Sequence, residues 1–283
     1  MKIAPLIYKT LEQDNKQWVP KNHNPSSASF KYSDGRVIGK DMLSLYLKWT
    51  GVPPSNPITA KALLNMRMGD ATHEALAKIL AKAGIKAKSE VKGEGFVPGL
   101  KNKISYRVDG LCELDGNIEV LEVKSTTDDA MMSSGWGIID TGPKEDHILQ
   151  LVCYLNLEPG VKAGRLIYVS RDTGELLEYR IERDGDKYFY SGSGAVIPEI
   201  SFSGIVARWA ELEKRLENQE MPEPEFRPWL NDDGEIMKVK QIKGKKYKTP
   251  WQCMYDSYKD YIWKNPANYK FTMNAQFELS GYK

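Results

Sequence analysis

An α/β fold with a central mixed β-sheet flanked by helices is what this sequence predicts. The main observation is the order of its patterned segments. A long helix-periodic run (59–83) precedes strand-like residues (86–126), a second helix (144–157) and a further strand pair (165–182). Helix, strands, helix, strands in one run is the pattern of a layered α/β domain. Size supports it: 283 residues with 41% hydrophobic content allow one large domain, or a core with elaborations. Mean hydropathy is −0.50, and no apolar run approaches the roughly 20 residues of a membrane-spanning helix. The first residues, MKIAPLIYKTLEQDNKQW, lack a signal-peptide core. Three cysteines, Cys112, Cys153 and Cys253, do not make a disulfide framework. A soluble protein of the reducing cytoplasm, with no membrane partner, is therefore expected.

The elements follow in order. Residues 1–35 read as irregular, with HNPSSAS as a loop, and MLSLYLKW (42–49) as a short amphipathic helix. GVPPSNP (51–57) breaks the chain. A helix then runs from an N-cap at Thr59 to Ala83 and stops at Gly84. Residues 86–126 read as strands with glycine-containing turns, and MMSSGWGIIDTGP (131–143) as a loop. The helix over 144–157 is closed by Pro159-Gly160, and RLIYVS and LLEYRIE form a hairpin about Asp172-Thr173-Gly174. Residues 201–219 are an amphipathic helix, and the chain after Met221 is rich in proline, lysine and aromatic residues. The expected division is an N-terminal elaboration (1–58), a core (59–220) and a C-terminal segment packing on that core (221–283).

The chemistry concentrates in ISYRVDGLCELDGNIEVLEVKST (104–126), which has the form D-x12-E-x-K. Asp115-Gly116 is a favoured central pair for a two-residue type I′ hairpin turn. Such a turn pairs Leu114 with Asn117 and, further along, Asp109 with Glu122. Facing side chains then have Cβ atoms roughly 4.5–5.5 Å apart. Strand alternation puts Lys124 on the face of Glu122. Two opposed carboxylates need a counter-charge, and Mg2+ or Mn2+ suits oxygen ligands. A paired acid site beside a lysine is what metal-dependent phosphodiester cleavage needs. A salt-bridge lattice on an exposed strand fits the same residues.

Two helices add candidates. Met66, Gly69, His73, Leu76, Ala77 and Leu80 form one stripe of the first helix, so His73 faces inward, either as a ligand or as a hydrogen-bonded core histidine. Glu74 is adjacent. On the second helix His147, Gln150 and Tyr154 share a face, either solvated or holding a lysine or phosphate. Net charge is only +2, but Lys238, Lys240, Lys243, Lys245, Lys246 and Lys248 cluster within a short span. They suit phosphate contacts or a solvated loop equally.

Taken together, GDATHE (69–74), RVDG (107–110), EVLEVKST (119–126) and HILQLVCY (147–154) resemble the PD-(D/E)XK nuclease superfamily. Within it they look most like the RecB-like or Cas4-like exonuclease branch, common in phages. The resemblance spans roughly residues 66–182. It implies a restriction-endonuclease-like core and a metal-dependent DNA exonuclease acting on DNA with a free end, in recombination, repair or phage DNA metabolism. An endonuclease of the same superfamily, or a silent nucleic-acid-binding protein on that fold, are the alternatives. It also implies that His73, Asp109, Glu122 and the Val123 carbonyl hold Mg2+ or Mn2+. Lys124 would orient the attacking water, Gln150 and Tyr154 would position Lys124 and the strand, and Glu74 and His147 are further candidates.

One departure matters. Cas4-like members often carry four cysteines around an iron–sulfur cluster. Here GKDMLSLY (39–46), which resembles the first cysteine's segment, has none, and WQCMYDSYKDYIW (251–263) keeps only Cys253. Four thiolates are needed, so no cluster is expected, and the tail is expected to be held by its aromatic residues.

Overall fold

The computed structural model describes residues 3–15, 18–191, 197, 199–231, 233, 235–242 and 245–263. In chain order its elements are α1 (Ile3–Asp14), β1 (Ser29–Lys31), β2 (Val37–Gly39), α2 (Met42–Trp49), α3 (Ala60–Lys82), β3 (Ala87–Gly95), β4 (Ile104–Leu114) and β5 (Asn117–Thr126). There follow α4 (Asp128–Met132), α5 (Ile138–Thr141), α6 (Glu145–Leu157), β6 (Ala163–Ser170), β7 (Leu176–Asp184), β8 (Lys187–Tyr190) and α7 (Phe202–Glu217). The chain ends in β9 (Trp229–Leu230), β10 (Ile236–Met237), β11 (Val239–Ile242), β12 (Lys245–Lys248), α8 (Trp251–Tyr255) and α9 (Lys259–Trp263). It divides into two compact units, residues 22–30 with 61–209, and residues 1–21, 31–60 and 210–283.

The unit of residues 22–30 and 61–209 is built on a six-stranded mixed sheet in the order β3-β4-β5-β6-β7-β8. Only the β5–β6 pair in this sheet is parallel. A parallel pair needs a crossover connection, and here the crossover carries α4, α5 and α6. Gly164 on β6 shows how closely α6 lies on the sheet: a Cβ there would stand 2.7 Å from Leu151 Cδ1. Helix α6 is buried nearly all round, from Ile148 and Leu149 through Leu151, Val152, Cys153, Tyr154 and Leu155. Val108, Val120, Leu166, Tyr168 and Ile181 are the matching buried strand residues. By contrast α3 packs lightly. Gly69, His73, Leu76, Ala77 and Leu80 of its stripe are half-buried, and Met66 is exposed.

In the other unit Leu43 and Leu47 of α2 pack with Cys253, Tyr258, Ile262 and Trp263. Asp41 begins α2 as its N-cap, accepting from the N–H groups of Leu43 (2.9 Å) and Ser44 (3.2 Å). Its other oxygen accepts from the N–H groups of Glu225 (2.7 Å) and Phe226 (3.3 Å). Glu225 returns the bond, accepting from Met42 N–H at 2.9 Å. One carboxylate thus joins segments far apart in sequence.

Three local expectations change. Residues 3–14 are helical rather than irregular, and Pro5 falls in the first turn, where its missing N–H is tolerated. The segment 131–143 contains the end of α4 and all of α5. The sheet also gains β8 as an edge strand.

Candidate active site

The D-x12-E-x-K hairpin forms with the register its turn dictates. Asp115 (φ 49°) and Gly116 (φ 77°) are both left-handed, as a type I′ turn requires. Pairing runs from Leu114 with Asn117 to Gly110 with Leu121. The next step would face Asp109 with Glu122, but the ladder ends there. Asp109 Oδ2 takes the Val123 N–H instead, at 2.8 Å. On its other side the β3–β4 ladder skips the same position, resuming at Val91 with Val108, and Glu90 adopts φ 51°. Asp109 therefore sits where regular pairing lapses on both edges of β4, and its side chain takes up a backbone N–H of β5 that the ladder does not pair.

Around it the unit has a cavity of about 840 Å³ lined by His73, Asp109, Glu122, Lys124, Gln150 and Tyr154, among others. His73 Nδ1 from α3 stands 3.5 Å from Asp109 Oδ1. The Asp109 carboxylate holds the imidazole above its usual pKa against the opposing effect of burial. Lys124 Nζ is paired with Glu122 Oε1. It also donates to Gln150 Oε1 at 2.9 Å. Gln150 Nε2 donates to the Tyr154 hydroxyl at 2.7 Å, and that hydroxyl donates to the Arg107 carbonyl at 3.0 Å. The lysine is thus fixed through α6 back to β4.

Glu122 is the unusual group. It is 1% exposed, and its Oε2 is buried with no hydrogen-bond partner. Burial pushes its pKa up to about 7, with Lys124 opposing the shift and Asp109 adding to it. A buried acceptor without a partner is costly, and a divalent cation would satisfy it. As they stand, no three His, Cys, Asp or Glu side chains among the described residues are arranged to hold an ion. The donor types nonetheless fit Mg2+ or Mn2+: an imidazole and two carboxylates, one of them with a bare oxygen, at a common cavity.

Glu74 and His147 do not line the cavity. Glu74, one residue on from His73, is exposed. His147 is directed away from the cavity. Its Nδ1 is 2.9 Å from the Tyr168 hydroxyl, and burial pushes its pKa down to about 2, with Lys124 and Lys144 adding to the shift. The lysine cluster belongs to the other unit. Lys240 lies 5.5 Å over the Trp229 ring, and Lys248 pairs with Val239 across β11 and β12. Lys238 falls between β10 and β11. Lys243 lies outside the described residues, as do the side chains of Lys245 and Lys246. Cys112, Cys153 and Cys253 are free and buried. Sequence reading missed Lys92 and Arg107, which also line the cavity. Arg107 stands in the RVDG segment, so a signal for it existed; Lys92 had none.

No family profile and no curated protein sequence matches the chain. Among solved structures it is similar to SSO0001, at 19% identity and a TM-score of 0.43 over 77% of this chain and 86% of that one. It is also similar to LHK-Exo, an alkaline exonuclease from Laribacter hongkongensis that is also solved in complex with dAMP. That likeness has 24% identity and a TM-score of 0.42, over 63% of this chain and 81% of that one.

Proposed function

We propose that this chain is a metal-dependent deoxyribonuclease of the PD-(D/E)XK kind, hydrolysing phosphodiester bonds from a free DNA end. The observation that carries the reading is Glu122. A binding surface has no use for a buried carboxylate with one bare oxygen beside a lysine fixed by two further side chains. His73, Asp109 and Glu122, with the Val123 carbonyl, would hold Mg2+ or Mn2+. When bound, the cation lowers the pKa of a water and polarises a phosphate.

The rest falls to the protein's own groups. Hydrolysis forms a bond from water oxygen to phosphorus and breaks one P–O bond, and negative charge grows on the phosphoryl oxygens. The Lys124 ammonium, held at 2.9 Å by Gln150, supplies positive charge where that charge develops. Tyr154 keeps Gln150 in the orientation that presents its oxygen, not its nitrogen, to the lysine. The RecB-like or Cas4-like resemblance directs this activity to recombination, repair or phage DNA metabolism.

The test is degradation of end-labelled linear DNA across a metal series. Cleavage with Mg2+ or Mn2+, arrested by EDTA and by Lys124→Ala, is expected. Full-rate cleavage by Lys124→Ala would refute the site assignment. Cutting of circular single-stranded DNA would make the enzyme an endonuclease, and DNA binding with no cleavage under any metal would leave a binding protein.

A further inference from the structure

Strands β3 and β4 set two cations side by side on the cavity wall. Lys92 pairs with Arg107 in the antiparallel register, and both line the cavity that holds Asp109, Glu122 and Lys124. Their Cβ atoms are therefore roughly 4.5–5.5 Å apart. Like charges so placed destabilise a sheet unless an anion lies against them. The fold supplies little of that anion. Arg107 Nη1 is 3.4 Å from Glu90 Oε1, but both side chains are more than half exposed, at 53% and 67%, and such pairs contribute little. Glu94, a carboxylate in the same wall, is turned to Lys103 at 3.0 Å. The Lys92 side chain makes no ion pair or hydrogen bond among the described residues.

The pair is also tied to the reactive groups. The Arg107 carbonyl anchors Tyr154, which ends the chain of bonds from Lys124. Arg107 and Asp109 are two residues apart on β4, roughly 6.5–7 Å along the strand. A phosphate on Arg107 and one at Asp109 would thus belong to neighbouring nucleotides.

We propose that Lys92 and Arg107 form a phosphate subsite for a single DNA strand, adjoining the cleavage position. The proposal rests on the nuclease reading above and adds to it the strand class and the residues that grip it. A cavity of about 840 Å³ admits a few nucleotides of one strand. Phosphate positions at Arg107 and Asp109, spaced along one strand of the sheet, follow the backbone of a single DNA strand. Glu90 holds Arg107 until a phosphate displaces it.

Fluorescence anisotropy with a labelled oligodeoxynucleotide of ten nucleotides, in EDTA so that nothing is cut, tests this. Lys92→Gln and Arg107→Gln should each weaken binding by about 5-fold and reduce the salt slope by about 0.7. Glu90→Gln should tighten binding, and Arg107→Lys should restore part of what Arg107→Gln loses. In cleavage assays the two Gln variants should raise KM with kcat held. Folded variants that bind like wild type, a kcat collapse without a KM change, or tighter binding of duplex than of single strand would each overturn the subsite. If the wild type cleaves while those variants bind normally, the subsite falls and the nuclease reading stands. If binding weakens as expected but no metal supports cleavage, the nuclease reading falls and the subsite stands. A wild type that neither binds nor cuts removes both.

Discussion

Two buried carboxylates, one in each unit, share an electrostatic shift but differ in how their oxygens are satisfied. Asp41 is 5% exposed and Glu122 is 1% exposed, and burial is the largest cause that pushes each pKa up to about 7. Asp41 spends both oxygens on four backbone N–H groups, from Leu43, Ser44, Glu225 and Phe226. Glu122 spends one oxygen on Lys124 and leaves the other bare. The first arrangement closes a fold. The second leaves one buried oxygen with no hydrogen-bond partner among the described residues. Satisfaction of the oxygens, rather than the pKa, separates a structural acid from a candidate ligand.

Replacing Glu122 gives the largest contrast. Glu122→Gln should lower kcat/KM on end-labelled DNA by about 1000-fold or more, roughly 4 kcal/mol of transition-state stabilisation. Its Tm should remain at or above that of wild type, because the amide fits the same space without a buried charge. A Tm drop of the size seen for a core truncation would show that Glu122 is structural after all. Asp41→Ala should behave in reverse. Loss of an N-cap and of two cross-segment bonds should destabilise the unit by about 2–4 kcal/mol, read as a lowered urea midpoint. If that midpoint holds, the bridge to Glu225 contributes nothing.

Smaller effects should follow along the lysine's support. Gln150→Ala leaves Lys124 with Glu122 alone and should lower kcat by about 10- to 100-fold, in the range of lost positioning. Tyr154→Phe keeps the ring's packing but orphans the Arg107 carbonyl and frees Gln150 to flip. It should lower kcat only a few-fold, at about 1 kcal/mol of stability. Equal losses in the two variants would mean that Tyr154 acts on the substrate itself rather than through Gln150.

What was legible in the sequence follows the range of its signals. Asp115-Gly116 fixed the hairpin register because a two-residue turn leaves no freedom, so pairing as far as Gly110 with Leu121 could be derived. Gln150 and Tyr154 were found because four-residue spacing on a helix is a local fact. The adjacency of Lys92 and Arg107 was not, since the segment between β3 and β4 is too long to set a register. The break at Glu90 was equally hidden, because a left-handed glutamate is imposed by its neighbours and not by its own preference. Asp41 directly before MLSLYLKW is an N-cap signature that the reading passed over. Its bonds to Glu225 and Phe226 close over more than 180 residues, and nothing local announces them.

The finest test of the comparison is the pH dependence of stability. Asp41 has a pKa near 3.8 as an ordinary aspartate and about 7 when folded, raised by burial and by Glu225 and Asp256, with backbone N–H groups pulling it back. A raised folded pKa means that the native state binds more protons than the unfolded state between those two values. Stability from this group is therefore complete below about pH 4 and is lost as pH rises through about 7, at no more than about 1.4 kcal/mol per pH unit. Glu122, raised in the same sense, contributes with the same sign, so wild type alone does not separate them. Unfolding free energies of wild type, Asp41→Asn and Glu122→Gln at pH 5 and pH 7 do. Each variant should show a shallower fall than wild type over that interval. Asp41→Asn should be less stable than wild type at both pH values, since its amide nitrogen replaces an acceptor. Glu122→Gln should match or exceed wild type at pH 7. An Asp41→Asn slope equal to that of wild type would mean that the four N–H groups already hold Asp41 ionised at pH 5. The likeness between the two acids would then end at burial.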